Sequence, residues 1–457
     1  MITDQKTDFD LYLQSMLDRS RQALHALADY SQAQVDRLCQ LCAQAVFDHA
    51  EELARLAVDE TRMGVYEDKV AKNKNKAMLI WYSLQGKKSV GIIDYDPETG
   101  IARIAKPLGI IGAITPTTNP IVTCMSNAMF AVKCRNSIII APHPRAMDCS
   151  IRTVELMNQY LAGVGAPEHL IQIIAIKSLE LTKKMMQSVD VVIATGGMDM
   201  VKSVYSSGKP ALGVGAGNVQ VLIDEDIDLA KAIEMIIRGR SFDNGIICTG
   251  EQSAHIPARL FSEAMKQFAA RKGYVVPDSQ TAAVRAILFP QGKMNRDLVG
   301  QNAVLIAEKC GLTVPADTRI LVVKADDSQD LLGEEKMFPV LTVYPYASWE
   351  QAVDQARMNL DKIGKGHSIA IHSNNRDHIA YAALKCEVSR VVCNQTCATG
   401  GGGSFYNGLN PTNTLGCGSW GNNSISENLT YYHLMNVTRI ADYRPHNPVP
   451  SDDDLWN

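Results

Sequence analysis

The sequence lacks the features that mark several broad classes of protein. No run of about 18 apolar residues occurs in its 457 residues, so no membrane-spanning helix is predicted. The formal net charge of −4 argues against a dedicated nucleic-acid-binding protein. The polar start, Met1-Ile-Thr-Asp-Gln-Lys6, does not open a secretory signal peptide. We therefore expect a cytoplasmic protein whose partners are neither membranes nor nucleic acids.

The sequence is also poor in metal-binding patterns. Its 11 cysteines, in a chain without a signal peptide, are expected to be reduced thiols. Cys39 and Cys42, and likewise Cys393 and Cys397, are spaced closely enough to suggest a metal site. The first pair falls on the apolar face of a predicted helix, however, and no second Cys/His pair stands at zinc-finger spacing. Packing is the favoured interpretation, and we predict no metal.

The composition and the order of the patterns predict an α/β protein of two or three domains. A hydrophobic content of 46% and a charged content of 21% are typical of globular proteins. Residues 8–62 and 67–84 are predicted to be helical, and Ser31 with Gln34 predicts a capping box. Residues 89–106 are predicted to form a β-hairpin that turns at Asp96-Pro-Glu-Thr-Gly100.

Residues 107–225 alternate short apolar strands with helical segments, which predicts a mostly parallel, doubly wound sheet. The predicted strands are 110–114, 137–141, 171–176, 189–194 and 219–223. Ligands bind such sheets at the carboxyl ends of the strands. The polar or glycine-rich loops in this segment are Thr115-Pro-Thr-Thr-Asn-Pro120, Ala141-Pro-His-Pro-Arg145, Ala194-Thr-Gly-Gly197 and Gly213-Val-Gly-Ala-Gly-Asn218. None of these loops matches the strict dinucleotide fingerprint G-x-G-x-x-G with a following acidic residue.

One cysteine stands out in the second α/β segment, residues 226–404. Cys248 ends the stretch Phe242-Asp-Asn-Gly-Ile-Ile-Cys248, in which Gly245 allows the backbone to turn sharply. We expect Cys248 at the tip of an ordered loop, with its backbone N–H directed into a cleft. An accessible thiol of lowered pKa can act as a nucleophile, whereas many free cysteines are only buried packing residues. The local pattern alone leaves both interpretations open.

Taken together, these pieces resemble the aldehyde dehydrogenase superfamily, and within it the CoA-acylating branch. The similarity covers nearly the whole chain, through signatures at 115–120, 142–145, 206–218, 242–248 and 415–421 in that order. The resemblance implies an aldehyde dehydrogenase-like fold of four parts. These are a Rossmann-type NAD(P)-binding domain (1–88 and 107–225), a catalytic thiol domain (226–404), a β-arm for oligomerisation (89–106 and 429–442) and a structured loop returning to the cofactor domain (405–428).

The resemblance also implies a covalent mechanism. Cys248 would attack the aldehyde carbonyl as a thiolate, and the Asn119 amide with the Cys248 backbone N–H would hold the oxyanion. Hydride transfer to NAD or NADP would leave a thioester. The residues implied in cofactor binding are Thr115, Pro116, Thr117, His143, Pro144, Arg145, Thr195, Gly196, Gly197, Gly215, Glu335 and His367. The residues expected near the substrate are Arg240, Thr396, Thr399 and Ser404.

Three of these residues also have a purely structural interpretation. Asn119 could be only a turn residue before a proline, Glu335 a solvated surface charge, and His367 a packed histidine. The order of the signatures favours the functional interpretation of Asn119 and Glu335 and leaves His367 undecided between the two.

The expected acyl acceptor follows from a missing carboxylate. Hydrolytic members of the superfamily carry a glutamate in a Glu-Leu-Gly-Gly motif, and the matching place here is Gly213-Val-Gly-Ala216. A thioester without a positioned base resists water, so coenzyme A is the expected cosubstrate and acyl-CoA the product. An acetaldehyde- or propionaldehyde-type acylating enzyme and a hydrolytic enzyme are the alternatives, and a non-catalytic member of the fold is disfavoured.

The substrate, the cofactor and the assembly are less closely defined. Hydroxyl groups with an arginine suit an anionic aldehyde, and the signatures resemble enzymes for succinate semialdehyde and, at Asn394-Gln395, for sulfoacetaldehyde. Asp148 would disfavour a 2′-phosphate, whereas Arg145 could oppose it, so both NAD and NADP remain candidates. We expect a homodimer or higher homo-oligomer. A microcompartment-targeting peptide at 8–17 is considered, but the first helix of the fold is favoured there.

Overall fold

The computed structural model describes residues 8–325, 327 and 329–457. The helices of this part of the chain are α1 (Phe9–Leu27), α2 (Gln32–Asp48), α3 (Ala50–Thr61), α4 (Tyr66–Leu84), α5 (Pro120–Lys133), α6 (Met147–Ala162), α7 (Leu179–Ser188), α8 (Met198–Tyr205), α9 (Leu229–Ser241), α10 (Ala258–Ala270), α11 (Thr281–Leu288), α12 (Ala303–Lys309), α13 (Trp349–Lys362), α14 (Arg376–Lys385), α15 (Cys397–Gly400) and α16 (Asp452–Trp456). The strands are β1 (Gly91–Asp96), β2 (Ile101–Pro107), β3 (Ile110–Thr115), β4 (Ser137–Pro142), β5 (Ile171–Ile173), β6 (Val191–Thr195), β7 (Ala211–Val214), β8 (Val219–Ile223), β9 (Glu251–Pro257), β10 (Gly273–Val275), β11 (Ile320–Lys324), β12 (Val340–Tyr346), β13 (Gly366–His372), β14 (Val388–Cys393) and β15 (Met435–Ala441).

The first sheet is the predicted doubly wound sheet. Its five parallel strands follow the order β5-β4-β3-β6-β7. Successive residues of β3 point to opposite faces, as the period of a strand requires. Ile111 packs with α2, α5 and α6 on one face, whereas Ile110 packs with α1 and α7 on the other. Apolar helices on both faces explain why these strands read as continuous apolar runs, and the predicted fold class is confirmed.

The second sheet contains seven parallel strands in the order β10-β11-β12-β9-β8-β13-β14. The strand predicted at 219–223 forms as β8, but it pairs with β9 and β13 in this sheet, so its assignment to the first sheet was wrong. Val219 and Val221 pack against residues of α9, and Gln220 accepts a hydrogen bond from Asn359 at 2.9 Å. These contacts are distant in the sequence, so a local pattern predicts the strand without its partners.

One strand of the first sheet was not predicted. β7 forms at Ala211–Val214, where the glycine-rich pattern suggested a loop. Gly213 lies within this strand, and its N–H donates to the Tyr205 hydroxyl at 3.0 Å. β7 is thus the edge of the first sheet, and the chain passes from it directly into β8 of the second sheet.

The third sheet is small and antiparallel, in the order β1-β2-β15. The predicted hairpin is confirmed, and the strand-like piece within 429–442 forms β15. Ile92, Tyr95 and Ile440 are exposed on this sheet. Its role in oligomerisation, like the division into domains, stays a prediction.

The N-terminal helices pack onto the first sheet. Ser31 and Gln34 form the predicted capping box at the start of α2. Leu13, Met16 and Leu17 of α1 are buried against the sheet, as favoured for residues 8–17. No helix in the described residues is both long and apolar enough to cross a membrane.

Candidate active site

The loop between α9 and β9 carries Cys248 through a strained turn. Asp243, Asn244 and Gly245 have φ values of 51°, 53° and 72° in succession. Two non-glycine residues in the left-handed region are unfavourable and persist only where surrounding contacts hold them. The sharp turn predicted before Cys248 is therefore present, and it needs an anchor.

Asp243 supplies that anchor from a fully buried position. Its carboxylate accepts hydrogen bonds from Lys72 Nζ at 2.6 Å, Lys69 Nζ at 3.0 Å and the Val65 N–H at 2.9 Å. Its own backbone N–H donates to Asp68 Oδ2 at 2.8 Å. Burial alone would raise the pKa of Asp243, but the two lysine charges hold that pKa below its usual value. A buried ion pair between α4 and the loop thus fixes the turn that leads to the thiol.

Asn119 lies on the same side of the molecule, at the N-terminus of α5. Its side-chain oxygen accepts a hydrogen bond from Lys72 Nζ at 2.7 Å, and its amide donates to Thr118 Oγ1 at 3.3 Å. Asn119 and Cys248 line one cavity of about 960 Å³. The structure therefore brings together the two residues predicted to be catalytic.

The cavity takes its walls from α4, the Cys248 loop and the segment 398–415. Thr399 and Ser404, two of the residues predicted near the substrate, line it, and Tyr406 stands exposed at its opening. Thr396 does not line it, and its hydroxyl donates to the Met235 carbonyl at 3.3 Å. Thr396 is therefore not supported as a substrate residue.

Arg240 also lies away from the cavity, which corrects its predicted role. Its side chain is fully buried, and its guanidinium donates to four backbone carbonyls. These are the carbonyls of Gly245, Glu251, Lys336 and Phe338, at 2.6 to 2.9 Å. An arginine whose donors are used in this way holds the backbone around the Cys248 loop and does not meet a substrate.

The residues predicted to bind the cofactor gather at the carboxyl edge of the first sheet. Thr115 ends β3, His143 follows β4, Thr195 ends β6 and Gly215 follows β7. Parallel strands place these ends on one edge, where ligands bind such sheets. The other members of the predicted set at this edge are Pro116, Thr117, Pro144, Arg145, Gly196 and Gly197.

This edge fits a dinucleotide. α8 begins after Gly197, its first N–H groups have no side-chain cap, and open space lies where a Cβ of Gly197 would stand. Free N–H groups at a helix N-terminus suit a pyrophosphate. The residues present are therefore compatible with a nicotinamide dinucleotide, although the strict fingerprint is absent.

The cofactor edge and the thiol meet at Gly217. A Cβ on Gly217 would lie 2.2 Å from the carbonyl oxygen of Cys248 and 3.1 Å from the ring of His367, so only glycine allows this approach. The Gly217 N–H donates to Glu335 Oε1 at 3.4 Å. Glu335, His367 and Cys248, which come from three separate segments, are thereby adjacent. His367 is buried, whereas Glu335 is partly exposed.

Burial dominates the electrostatics of this junction. It raises the pKa of Glu335 to about 7 and, with the charge of Arg390, lowers the pKa of His367 well below its usual value. Burial and, next, the Glu335 carboxylate raise the pKa of Cys248 to about 12, against the opposing effect of Arg390. A lowered thiol pKa was expected for the nucleophile, and the protein alone shows the opposite.

The cations of the cavity were missed by the sequence analysis. Lys72 and Lys76 line the cavity, and Nζ of Lys76 donates to the carbonyls of Gly402 and Thr412 at 2.8 and 3.2 Å. Burial lowers the pKa of Lys76 to about 8. The other lining cations are Arg238, Arg271, Lys272 and Arg319, and the lining carboxylates are Asp68 and Glu234. The helical spacing of Lys69, Lys72 and Lys76, which puts them on one face of α4, was the available signal.

No group of three or more metal-ligating side chains that could hold an ion is found within the part of the chain that the structure describes. The eight cysteines other than Cys248, Cys310 and Cys393 are buried. The close cysteine pairs noted in the sequence therefore show no surrounding ligand set.

Comparison with known proteins points to one family. The model of the aldehyde dehydrogenase family matches residues 10–284. The chain is 48% identical over 450 residues to the succinate-semialdehyde dehydrogenase (acetylating) of Clostridium kluyveri, covering 98% of this chain and 99% of that protein. It is 34% identical to the sulfoacetaldehyde dehydrogenase (acylating) of Bilophila wadsworthia, covering 96% and 97%. An acetylating aldehyde dehydrogenase from Geobacillus thermoglucosidasius has a similar crystal structure, with a TM-score of 0.93, 34% identity and coverage of 97% and 100%.

Proposed function

The chain belongs to the aldehyde dehydrogenase family, and we propose that it converts a short anionic aldehyde and coenzyme A to an acyl-CoA through a thioester on Cys248. The observation that carries this proposal is the meeting of Cys248 and Asn119 in one cavity beside a dinucleotide-compatible sheet edge. Relatives named as acetylating or acylating dehydrogenases share nearly the full length of the chain.

In the proposed reaction the Cys248 sulfur attacks the aldehyde carbon, and the thiol proton is released to solvent. The resulting oxyanion is held by the Asn119 amide and the Cys248 backbone N–H. Loss of hydride from the same carbon turns the thiohemiacetal into a thioester. The thiol of coenzyme A then attacks that carbonyl and releases Cys248 as acyl-CoA leaves.

The cofactor, when bound, accepts the hydride. Gly196, Gly197 and the start of α8 would hold its pyrophosphate, and Glu335 would hold the ribose next to the nicotinamide. The buried ring nitrogens of His367 have no hydrogen-bond partner in the described residues, which leaves them available to a ligand at Gly217. A polar ligand there would satisfy groups that are otherwise costly to bury.

Coenzyme A is favoured over water because a positioned base is lacking. Gly213 lies in β7, and both its N–H and its carbonyl bond to the Tyr205 hydroxyl. The two carboxylates among the described residues of the cavity wall, Asp68 and Glu234, make no hydrogen bond with Cys248. Glu251 is buried and accepts the Cys397 N–H at 2.7 Å. Hydrolysis would have to use one of these groups or Glu335.

The charge of the cavity supports an anionic aldehyde. Six lysine and arginine side chains line it against two carboxylates. Among the described residues no carboxylate lies within 4 Å of the Lys76 ammonium, which donates to two carbonyls, and a desolvated ammonium is stabilised by an anion. Succinate semialdehyde and sulfoacetaldehyde both carry such a group. A neutral acetaldehyde-type substrate would leave Lys76 uncompensated.

For the cofactor we propose a preference for NAD over NADP. Glu60 of α3 accepts the N–H groups of Asp148 and Cys149, both at 2.9 Å, at the start of α6. The strand before α6 is the second of the sheet, whose end selects the adenosine ribose in such folds. A 2′-phosphate there would meet two carboxylates, Glu60 and Asp148, and one arginine, Arg145, which already donates to the Thr61 carbonyl.

We also propose that the chain acts as a homodimer or higher oligomer through β1, β2 and β15. The exposed apolar residues of this sheet and its free edge favour pairing with a second copy. Sedimentation of a stable monomer at micromolar concentration would contradict this part of the proposal.

The decisive experiment on the reaction is Cys248→Ala. The variant should lose all but a trace of acyl-CoA formation and keep its fold and its affinity for the cofactor. Cys393→Ala is the matched control, because Cys393 is also partly exposed but lies outside the cavity. Substantial CoA-dependent activity in Cys248→Ala would refute the proposed function.

A further inference from the structure

The ammonium of Lys72 is bound between a carboxylate and a carboxamide. We propose that Lys72, held by Asp243, is a positioning residue that fixes the Asn119 amide N–H groups toward Cys248. This inference rests on the proposed function, because it assumes that Asn119 donates to the oxyanion. It adds a residue from α4 to the machinery and explains why α4 carries lysines at buried positions.

Hydrogen-bond chemistry determines how the carboxamide must face. Lys72 Nζ lies 2.7 Å from Asn119 Oδ1 and 2.6 Å from Asp243 Oδ2. A lysine ammonium has three donors and no acceptor. The atom of Asn119 that faces it must therefore be the oxygen, and the NH₂ group must occupy the opposite side. Rotation of the carboxamide by half a turn would set two donors against each other.

Without Lys72 this orientation would be poorly defined. Asn119 stands at the N-cap of α5 but makes no capping hydrogen bond with its side chain. Its other side-chain contact, to the neighbouring Thr118 hydroxyl, is long at 3.3 Å, and a hydroxyl can serve as donor or acceptor. An oxyanion hole stabilises a transition state only if its donors are aimed beforehand.

The same ammonium also couples the amide to the nucleophile. Asp243 belongs to the strained loop that carries Cys248, and its contact with Lys72 spans 171 residues of sequence. One side chain thus contacts both the anchor of the loop and Asn119. The charged groups that face Lys72 are Asp243 from the loop and Lys69 and Asp68 from its own helix.

Lys69 provides a matched control. It is equally buried and donates to the same Asp243 oxygen at 3.0 Å, but Asn119 is not among its hydrogen-bond partners. Substituting either lysine removes one ion pair from Asp243 and should lower stability in the same direction. A role in aiming Asn119 belongs to Lys72 alone.

The test compares Lys72→Met with Lys69→Met. The readout is the single-turnover rate of reduced-cofactor formation from aldehyde and NAD without coenzyme A. Lys72→Met should be slower by about 10- to 10³-fold, up to the loss expected for one oxyanion donor, with little change in KM for the aldehyde. Lys69→Met weakens the same anchor of the Cys248 loop but keeps the contact between Lys72 and Asn119, so it should lose clearly less rate than Lys72→Met. Equal rates in the two variants, or a loss in Lys72→Met confined to KM, would overturn the proposal.

A double-mutant cycle with Asn119→Ala separates the effect of Lys72 on the orientation of the Asn119 amide from the other effects of substituting Lys72. If Lys72 acts through Asn119, the double variant should be no slower than Asn119→Ala alone, because the interaction is already lost. If the rate losses of Lys72→Met and Asn119→Ala instead multiplied in the double variant, the positioning role of Lys72 would be refuted. Lys72→Arg keeps an obligate donor and should recover part of the rate, which also covers the case in which Lys72→Met does not fold.

The cycle also separates this inference from the proposed function. A slow Asn119→Ala variant with Lys72→Met as fast as Lys69→Met would refute only the positioning role. An Asn119→Ala variant within a few-fold of the parent would remove Asn119 from the oxyanion hole and refute both.

Discussion

The carboxylate of Glu335 adds to burial in raising the pKa of the Cys248 thiol to about 12. Both groups lie next to Gly217, and the pKa of Glu335 is itself raised by burial to about 7. Glu335 is therefore charged above about pH 7 and neutral well below it. The charge of this side chain, and with it the reactivity of the thiol, changes near neutral pH.

Glu335→Gln should accordingly make Cys248 more reactive in the protein without cofactor. The substitution removes a negative charge that disfavours the thiolate, so the thiol pKa falls. Iodoacetamide should label the variant faster, by about threefold for each unit of that fall, since a more acidic thiolate is also a weaker nucleophile. The difference should appear above pH 7 and vanish near pH 6, where Glu335 in the parent is protonated.

The labelling is measured as the rate of modification of the Cys248 peptide between pH 6 and 9. Cys248→Ala supplies the background from the other partly exposed cysteines, Cys310 and Cys393. A rate ratio between variant and parent that does not change with pH would show that Glu335 does not act on the thiol through its charge.

Lys76→Met should reduce selectivity for anionic aldehydes. We expect kcat/KM for succinate semialdehyde to fall roughly 10- to 100-fold, as for loss of a hydrogen bond to a charged group. Butanal, with the same number of carbons and no charge, is the internal control and should change only a few-fold. An equal loss for both aldehydes would mean that Lys76 supports Cys248 or the cavity wall and does not recognise the anion.

Glu60→Gln should shift the cofactor preference toward NADP. Removing one carboxylate from the start of α6 leaves Arg145 and Asp148 to face a 2′-phosphate, so the ratio of kcat/KM for NADP to that for NAD should rise by roughly tenfold. Arg145→Ala should move the ratio the other way. A parent enzyme that already uses both cofactors equally, with no change in Glu60→Gln, would refute the proposed preference.

Local patterns in the sequence predicted where helices and strands form better than they predicted which strands pair with one another. The capping box at Ser31 and the hairpin at 89–106 depend on neighbouring residues, and both formed as predicted. β8 formed as well, but its sheet is chosen by contacts with β9 and β13. β7 was missed because Gly213 weakens the strand pattern, although pairing with β6 overrides that weakness.

In the candidate site, too, sequence patterns predicted some residues, whereas residues defined by contacts between distant segments were missed or misplaced. The loop sequence singled out Cys248 but left its role open, and the family resemblance supplied both that role and Asn119. Lys72 was not predicted, since its partners are far away in the chain. Arg240 was wrongly expected near the substrate, where an arginine would suit an anionic aldehyde. Its four carbonyl partners, which only the folded chain assembles, direct it into the core.

The absence of a base at Gly213 gives the last prediction. With aldehyde and oxidised cofactor but no coenzyme A, the Cys248 thioester should accumulate. Reduced cofactor should then form in a burst of about one equivalent per site, followed by slow turnover, as for a trapped covalent intermediate. Hydrolysis should be slower than CoA-dependent turnover by about 10²- to 10⁴-fold, the usual contribution of a general base. Addition of coenzyme A should restore steady turnover with ping-pong kinetics. Sustained release of free acid without coenzyme A, at a rate similar to that of CoA-dependent turnover, would contradict this prediction. It would show that Glu251 or Glu335 activates water and that the enzyme is hydrolytic.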